Sequence, residues 1–267
     1  MTQDEILYHY TSIAGLNGII NSRNVWASDC RFLNDRRELV HAIELFLCRF
    51  KGDRHKILSL ALHWYSFSQA HCVFSLSQSP KVLSQWRAYG DDGRGAAIGF
   101  ARRFIAGNKA LPTRRLVDCV YHNHESFIDS VTKTNEKDIE ALAAMYVEAG
   151  GAVNSFWELI GHNPEPLARI YAELLRVKNP AFEEEQEVRL VLSIPTRKVQ
   201  TRVTNGLIIP YVEHSVVDRG DDDYLWCVAP EIWFGPKCDD RNIEALRAFN
   251  QFGWGIKGVH QYDCGYT

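Results

Sequence analysis

No stretch of this 267-residue chain approaches the roughly 18 consecutive apolar residues that span a bilayer. The opening residues Met1, Thr2, Gln3, Asp4 and Glu5 are acidic, unlike the basic start of a secretory signal. The expectation is a cytoplasmic protein with no membrane partner. Cysteine is scattered: seven, at positions 30, 48, 72, 119, 227, 238 and 264, with no Cys-x-x-Cys pair. That pattern excludes a dense disulfide scaffold and a paired-cysteine zinc site, and it fits reduced thiols. An excess of one charge is lacking too. Lys+Arg 30 against Asp+Glu 33 gives a net −3, too little positive charge for broad non-specific nucleic-acid binding, although a local basic groove remains open. Phosphate-loop, Gly-x-Ser-x-Gly, kinase and His-Glu-x-x-His signatures are absent. Repeats, low-complexity tracts and Pro/Gly/Ser linkers are missing as well, so one domain over 1–267 is expected.

What is present reads as strands at both ends with helices between. Residues 6–11 are β-branched and aromatic. Ser12 caps a short helix with Ile13, Leu16, Ile19 and Ile20 on one stripe, and 24–28 return as a strand. Helices are expected over Leu39, Ile43, Phe46 and Leu47, over 56–68, and from Pro80 to Tyr89. Strands are expected at 71–77, 96–100 and 116–121, with a hairpin turn at Gly90–Gly93. Helical period holds from about 136 to 177, Asn163 and Pro164 marking one helix start. Further strands are read at 188–194, 207–212, 232–234 and 255–259, with a helix near 240–252. The fold class is α+β: a mixed or antiparallel sheet, flanking helices, and a helical insertion at about 123–179.

Four patches carry candidate chemistry. On the first strand His9 and Thr11 share one face, opposite Tyr8 and Tyr10; they suit a sugar diol or amide, and the plain alternative is a core histidine satisfied by backbone. Asn34, Asp35 and Glu38 precede a helix, where a capping box competes with a polar site; Arg31, Arg36 and Arg37 beside them suit an anion. Trp86 and Tyr89 lie three apart, fit either for core packing or for stacking on a base. Glu185, Glu187 and Arg189 fall at period two at the mouth of a central strand. Paired carboxylates with an adjacent Arg can divide roles, one stabilising positive charge and one held by the Arg; the alternative is a solvated salt bridge.

Taken in order, His9-Tyr10-Thr11, Leu33-Asn34-Asp35 with Glu38, Trp86-x-x-Tyr89, Glu185-x-Glu187-x-Arg189 and Gly235-Pro236 resemble a bacterial family of unknown function, DUF2971, from Leu7 to about Val259. The chain departs from that pattern at Tyr262–Tyr266, where nothing is assigned. The spacing of His9, Thr11, Leu16, Ile19 and Trp26 also looks like the first strand–helix–strand of ADP-ribosyltransferases, especially the DNA-modifying toxins. That resemblance implies NAD as substrate, with His9 and Thr11 holding its ribose. Glu187 would be the catalytic carboxylate, Glu185 would orient the acceptor, and Tyr89 or Trp86 would wall the nicotinamide. Arg189 and Asn34 complete the expected NAD-binding set, and Phe74–Ser77 is a candidate second motif. The implied role is a toxin or antiphage-defence effector with a nucleic-acid or protein acceptor, and it requires His9 and Glu187 to be adjacent. The alternatives are a magnesium-dependent nuclease built on His9, Asp35, Glu38, Glu185 and Glu187, and a nucleotide-sensing module without turnover.

Overall fold

The computed structural model describes residues 5–33, 37–106, 113–204, 206–216, 231–249, 256 and 258–266. Strand β1 (Ile6–Thr11) ends at Ser12, whose Oγ accepts from the Gly15 N–H at 3.1 Å and so satisfies one of the orphan donors of helix α1 (Ile13–Ser22). Arg23 then adopts a left-handed φ of 57°, and β2 (Asn24–Asp29) follows. Helices α2 (Arg37–Leu47) and α3 (Gly52–Ser68) precede β3 (Gln69–Ser77), the short α4 (Leu83–Ala88) and β4 (Ala96–Ala101). After α5 (Arg102–Ala106) and β5 (Arg114–Asp118) come four consecutive helices: α6 (His124–Thr134), α7 (Glu136–Glu148), α8 (Val153–His162) and α9 (Glu165–Leu174). A 3-10 turn (Pro180–Glu185) leads into β6 (Glu187–Pro195), then β7 (Gln200–Thr204), β8 (Leu207–Ser215), β9 (Glu231–Phe234), α10 (Asp240–Phe249) and β10 (Gly258–Gln261).

The strands form one open sheet in the order β10-β9-β4-β1-β3-β2-β8-β7, with β6 lying along β3 and β5 along β6. Every pairing between these strands is antiparallel except β9 with β10. β3 is the pivot. Along one edge it pairs with β6 from Gln69 to Ser77. Its other edge is shared, β1 meeting it at Ser77 and β2 at Val73 and Cys72. Between those two attachments the β3 edge is open to another partner.

Period-two alternation puts a different core on each face. Leu7, Phe74, Leu76, Ile98, Val188 and Leu190 pack with Leu16 of α1 and Ile243 and Leu246 of α10. Val73 and Val191 face the other way, against Phe46, Leu58 and Tyr65 of α2 and α3 and Phe156 and Ile170 of α8 and α9. A small third cluster joins Tyr8 and Tyr10 to Trp86 and Ala97. The α+β class and the mostly antiparallel sheet therefore hold.

Several local expectations change. Pro80 does not open a helix; its carbonyl accepts from Trp86 Nε1 at 3.0 Å and α4 starts at Leu83. The Gly90–Gly93 turn is not a hairpin but connects α4 to β4, with Asp91, Asp92 and Gly93 at φ of 51°, 54° and 83°. Asp92 is held there by the Tyr266 hydroxyl at 2.6 Å and Lys237 Nζ at 3.1 Å. The strand expected at 116–121 runs from Arg114 to Asp118, because Val120 leaves it to bridge Val177. β7 and α5 carry no local signal that sequence reading picks up. Part of the helix expected to 252 and of the strand expected at 255–259 lies outside the described residues.

Gly99 of β4 sits between Tyr8 of β1 and Glu231 of β9, and a Cβ there would come within 2.8 Å of Ile6 Cγ2, 3.0 Å of Glu231 Cγ and 3.1 Å of Tyr8 Cε1. Gly18, inside α1, has nothing within 4 Å of its would-be Cβ. Gly99→Ala is therefore expected to cost about 1–3 kcal/mol through overpacking. Gly18→Ala should add about 0.5–1 kcal/mol by restricting the unfolded chain and favouring helix. Urea unfolding of the two variants checks both signs.

Candidate functional site

Gln186 takes a left-handed φ of 46° between the 3-10 turn and β6. That kink separates Glu185 from the strand, so the expected shared face for Glu185, Glu187 and Arg189 holds only for the last two. Glu187 pairs with Ser77 and Arg189 with Ser75 across β3, and Glu185 comes in from the turn. Both carboxylates nevertheless converge on one cation: Lys178 Nζ donates to Glu185 and to Glu187. Arg189 continues the chain, donating from one guanidinium nitrogen to Glu187 at 3.0 Å and Glu38 at 2.7 Å, and from another to the Leu175 carbonyl at 2.8 Å. Glu38 thus bonds Arg189, while Asp35, its partner in the capping-box reading, lies outside the described residues. The Glu187 N–H donates to the Tyr121 hydroxyl at 2.7 Å.

The result is three carboxylates around two cations. Glu187 and Arg189 are 6% and 4% exposed, so their pairing operates at low dielectric. Burial alone would raise the Glu187 carboxyl, but Arg189 and Lys178 outweigh it and hold it down at about 2. Burial raises Glu185, only partly opposed by Lys178. Lys178 moves up because its two glutamates overcome its desolvation.

This cluster forms one wall of a cavity of about 440 Å3 that also takes in Tyr8, His9, Tyr89, Phe182 and Arg202, within the size range of small-molecule sites. Of the residues singled out in the sequence, His9, Tyr89, Glu38, Glu185, Glu187 and Arg189 line it. Thr11 does not; its hydroxyl packs against Gly15 at the start of α1. Trp86 is fully buried against Tyr10, with ring centroids 4.9 Å apart, and is core rather than a stacking wall. Asn34, Asp35 and Arg36 lie outside the described residues. Arg31 is taken by Asp29, through Nε at 2.9 Å and a terminal nitrogen at 2.6 Å.

His9 does not share the Glu187 face of the sheet. Residues directly opposite in a β ladder project to the same face. Tyr8 pairs with Ser77 and Ser77 with Glu187, so Tyr8, not His9, shares the Glu187 face. His9 pairs with Ile98 and lies against Phe74 on the other face, ring centroids 4.3 Å apart. It meets the cavity at the break between β1 and β2, where its Nδ1 is 3.0 Å from the Ser75 carbonyl on the open β3 edge. As the donor in that bond, Nδ1 carries the proton and Nε2 is left as an acceptor. Burial lowers the ring to about 4, against the opposing Ser75 bond, and it is neutral at pH 7.

Three contributors escape sequence reasoning. Alternation puts Tyr8 only on the face opposite His9; in the fold its hydroxyl donates to Glu231 across Gly99. Lys178 sits just before Asn179 and Pro180, and a cation at a helix-to-turn break upstream of three glutamates is the available signal. Arg202 falls in a short strand that carries no motif.

A family model described as a protein of unknown function (DUF2971) matches residues 85–190. That segment is similar to the family, and it includes Tyr89, Lys178, Glu185, Glu187 and Arg189 but neither His9 nor Arg202. No curated protein and no solved structure matches the chain.

The buried groups set the acid limb of stability. His9 and His71 have folded values near 4 and 3, lowered chiefly by burial. Both lie below the ~6.5 of an unfolded histidine, so the unfolded chain takes protons first. Their stabilisation is complete above about pH 6.5 and falls as pH drops toward about 3. Glu187, depressed to about 2, adds a loss between about pH 4.5 and 2. Urea unfolding from about pH 7 to about 2.5 should show both segments in the wild type. Glu187→Gln should start about 3–5 kcal/mol lower, since Lys178 and Arg189 lose their shared partner. It should keep the fall between about pH 6.5 and 4.5 and lose part of the fall below that.

Proposed function

We propose that the cavity binds NAD and that Glu187 promotes loss of nicotinamide, the ADP-ribosyl group passing to water, protein or nucleic acid, in an effector of toxin or antiphage-defence type. In the step proposed, the C1′–N bond breaks with its electron pair leaving on nicotinamide. The ribose then carries oxocarbenium charge until an acceptor oxygen or nitrogen attacks C1′ and gives up its proton to solvent. The observation that supports this reading is a carboxylate fixed in ionised form on the wall of a cavity of suitable size. Such a charge stabilises developing positive charge without reorganising. Glu185 lies beside it to orient the acceptor, and Tyr89 offers an aromatic wall. His9 contributes from the strand break, as a neutral acceptor for a ribose hydroxyl, and not from the Glu187 face.

A second reading, nucleotide sensing without turnover, is favoured by two observations. The Glu187 charge is already balanced by Lys178 and Arg189, and His9 lies on the opposite face of the sheet. A magnesium nuclease is supported less, because the carboxylates it would use are engaged by those same fixed cations.

Nicotinamide release from NAD by the purified chain, alone and with DNA, RNA or cell lysate, separates the two. The cleavage reading expects release that drops on the order of 10²-fold in folded Glu187→Gln, with the stimulating addition identifying the acceptor. Saturable NAD binding with no release under any condition would replace cleavage with sensing, and absence of both binding and release would sink the two together.

A further inference from the structure

The cavity has a second, differently built wall. Arg202 lines it from β7, opposite in charge character to the glutamate cluster. Its guanidinium carbon sits 5.2 Å from the Trp26 ring centroid and 5.6 Å from that of Tyr211. One terminal nitrogen donates to Ser28 Oγ at 2.9 Å, and Nε is buried with no hydrogen-bond partner. No carboxylate pairs with Arg202 among the described residues, whereas the cavity's other two cations, Lys178 and Arg189, are each bonded to two glutamates. A guanidinium offers a planar fork of N–H donors, and the Ser28 bond leaves most of that fork free among the described residues. Two aromatic rings hold the fork in place, so little conformational freedom is lost when it binds an anion.

We propose that Arg202 anchors the phosphates of the bound nucleotide, which lies with its cationic base end toward Glu187. This rests on the NAD reading and deepens it. The glutamate wall carries one more carboxylate than cations, and the far wall carries a cation with no carboxylate partner among the described residues. A ligand with a positive ring at one end and a pyrophosphate toward the other matches that polarity, and oxidised NAD is such a ligand. Fork-to-phosphate bonding is charge-assisted and bidentate, stronger than a neutral hydrogen bond. His9, which reaches the cavity at the break between β1 and β2, faces the ribose between the two ends.

Calorimetric titration of the full chain with NAD, inorganic pyrophosphate and nicotinamide riboside, for wild type, Arg202→Lys and Arg202→Met, tests the assignment. Met keeps an unbranched apolar side chain beside Trp26 without the guanidinium, and thermal unfolding confirms that each variant is folded. NAD and pyrophosphate are expected to bind at least about tenfold more weakly to Arg202→Met. Arg202→Lys should recover part of that loss, and nicotinamide riboside, which has no phosphate, should bind all three proteins alike. Equal NAD and pyrophosphate affinity in wild type and folded Arg202→Met overturns the anchor, as does a wild type that binds neither. Binding of RNA or DNA that depends on Arg202, in place of pyrophosphate, would also overturn it. The two proposals fail separately. Arg202-dependent pyrophosphate binding without NAD cleavage keeps the anchor and removes the cleavage, whereas cleavage with an unchanged KM in Arg202→Met does the reverse.

Discussion

The buried chain of charges from Glu38 through Arg189, Glu187 and Lys178 to Glu185 is the constraint on which the surrounding structure depends. Taking an ion out of water costs several kcal/mol even after the protein relaxes, so none of these groups is tolerable without its partners. Their partners come from separate places in the sequence: Glu38 from α2, Lys178 from the turn after α9, and Glu187 with Arg189 from β6. Closing the cluster therefore fixes the helical layer against the sheet. It also fixes where β6 begins, since the Gln186 kink is what lets Glu185 and Glu187 reach the same ammonium. Apolar residues of equal volume would often hold such a junction as well or better, so retaining five ionisable side chains here argues for use beyond stability.

The second constraint is the sharing of one β3 edge by two strands. A strand edge with unpaired carbonyls must be satisfied by something. At Ser75 that partner is the His9 ring, which bonds the carbonyl left open between the attachments of β1 and β2. The same break gives His9 access to a cavity from which its own face of the sheet would otherwise exclude it. A ladder cannot change face within one residue, so only a discontinuity of this kind brings His9 and Glu187 to the same space.

Much of the framework is legible because it rests on periodicity. Residues 6–11, the Ser12 cap, α1 and the β6 strand follow from alternation, apolar stripes and a capping hydroxyl, all local signals. Val188, Leu190 and Leu192 fall on one face and Val191 on the other, as a central strand covered on both sides requires. The site is legible in part. Glu187 and Arg189 stand out as charges in an apolar strand. Lys178 does not, because its role depends on the chain reversing at Pro180. Trp86 and Tyr89 are indistinguishable by spacing, and only the close approach of Tyr10 shows which one is core. His9 can be placed on a face of its strand but not relative to β6, because register between non-adjacent strands is a tertiary property. The segment similar to DUF2971 ends at Leu190 on β6, so nothing local marks Arg202 either.

Charge balance within the cavity narrows what can occupy it. On one wall Lys178 and Arg189 are saturated, so a free anion gains little there and meets an excess carboxylate. On the other wall Arg202 has donors to spare and, among the described residues, no acid to satisfy them. A purely anionic ligand would use only the second wall, and a purely cationic one only the first. A ligand carrying both signs at opposite ends gains on each, and it gains most where water has been displaced and the dielectric is low. His9, neutral at pH 7, adds no net charge to the cavity and leaves that gradient intact. The same gradient that orients such a ligand would stabilise positive charge forming beside Glu187, which is how a site built for recognition can also become a site for bond cleavage.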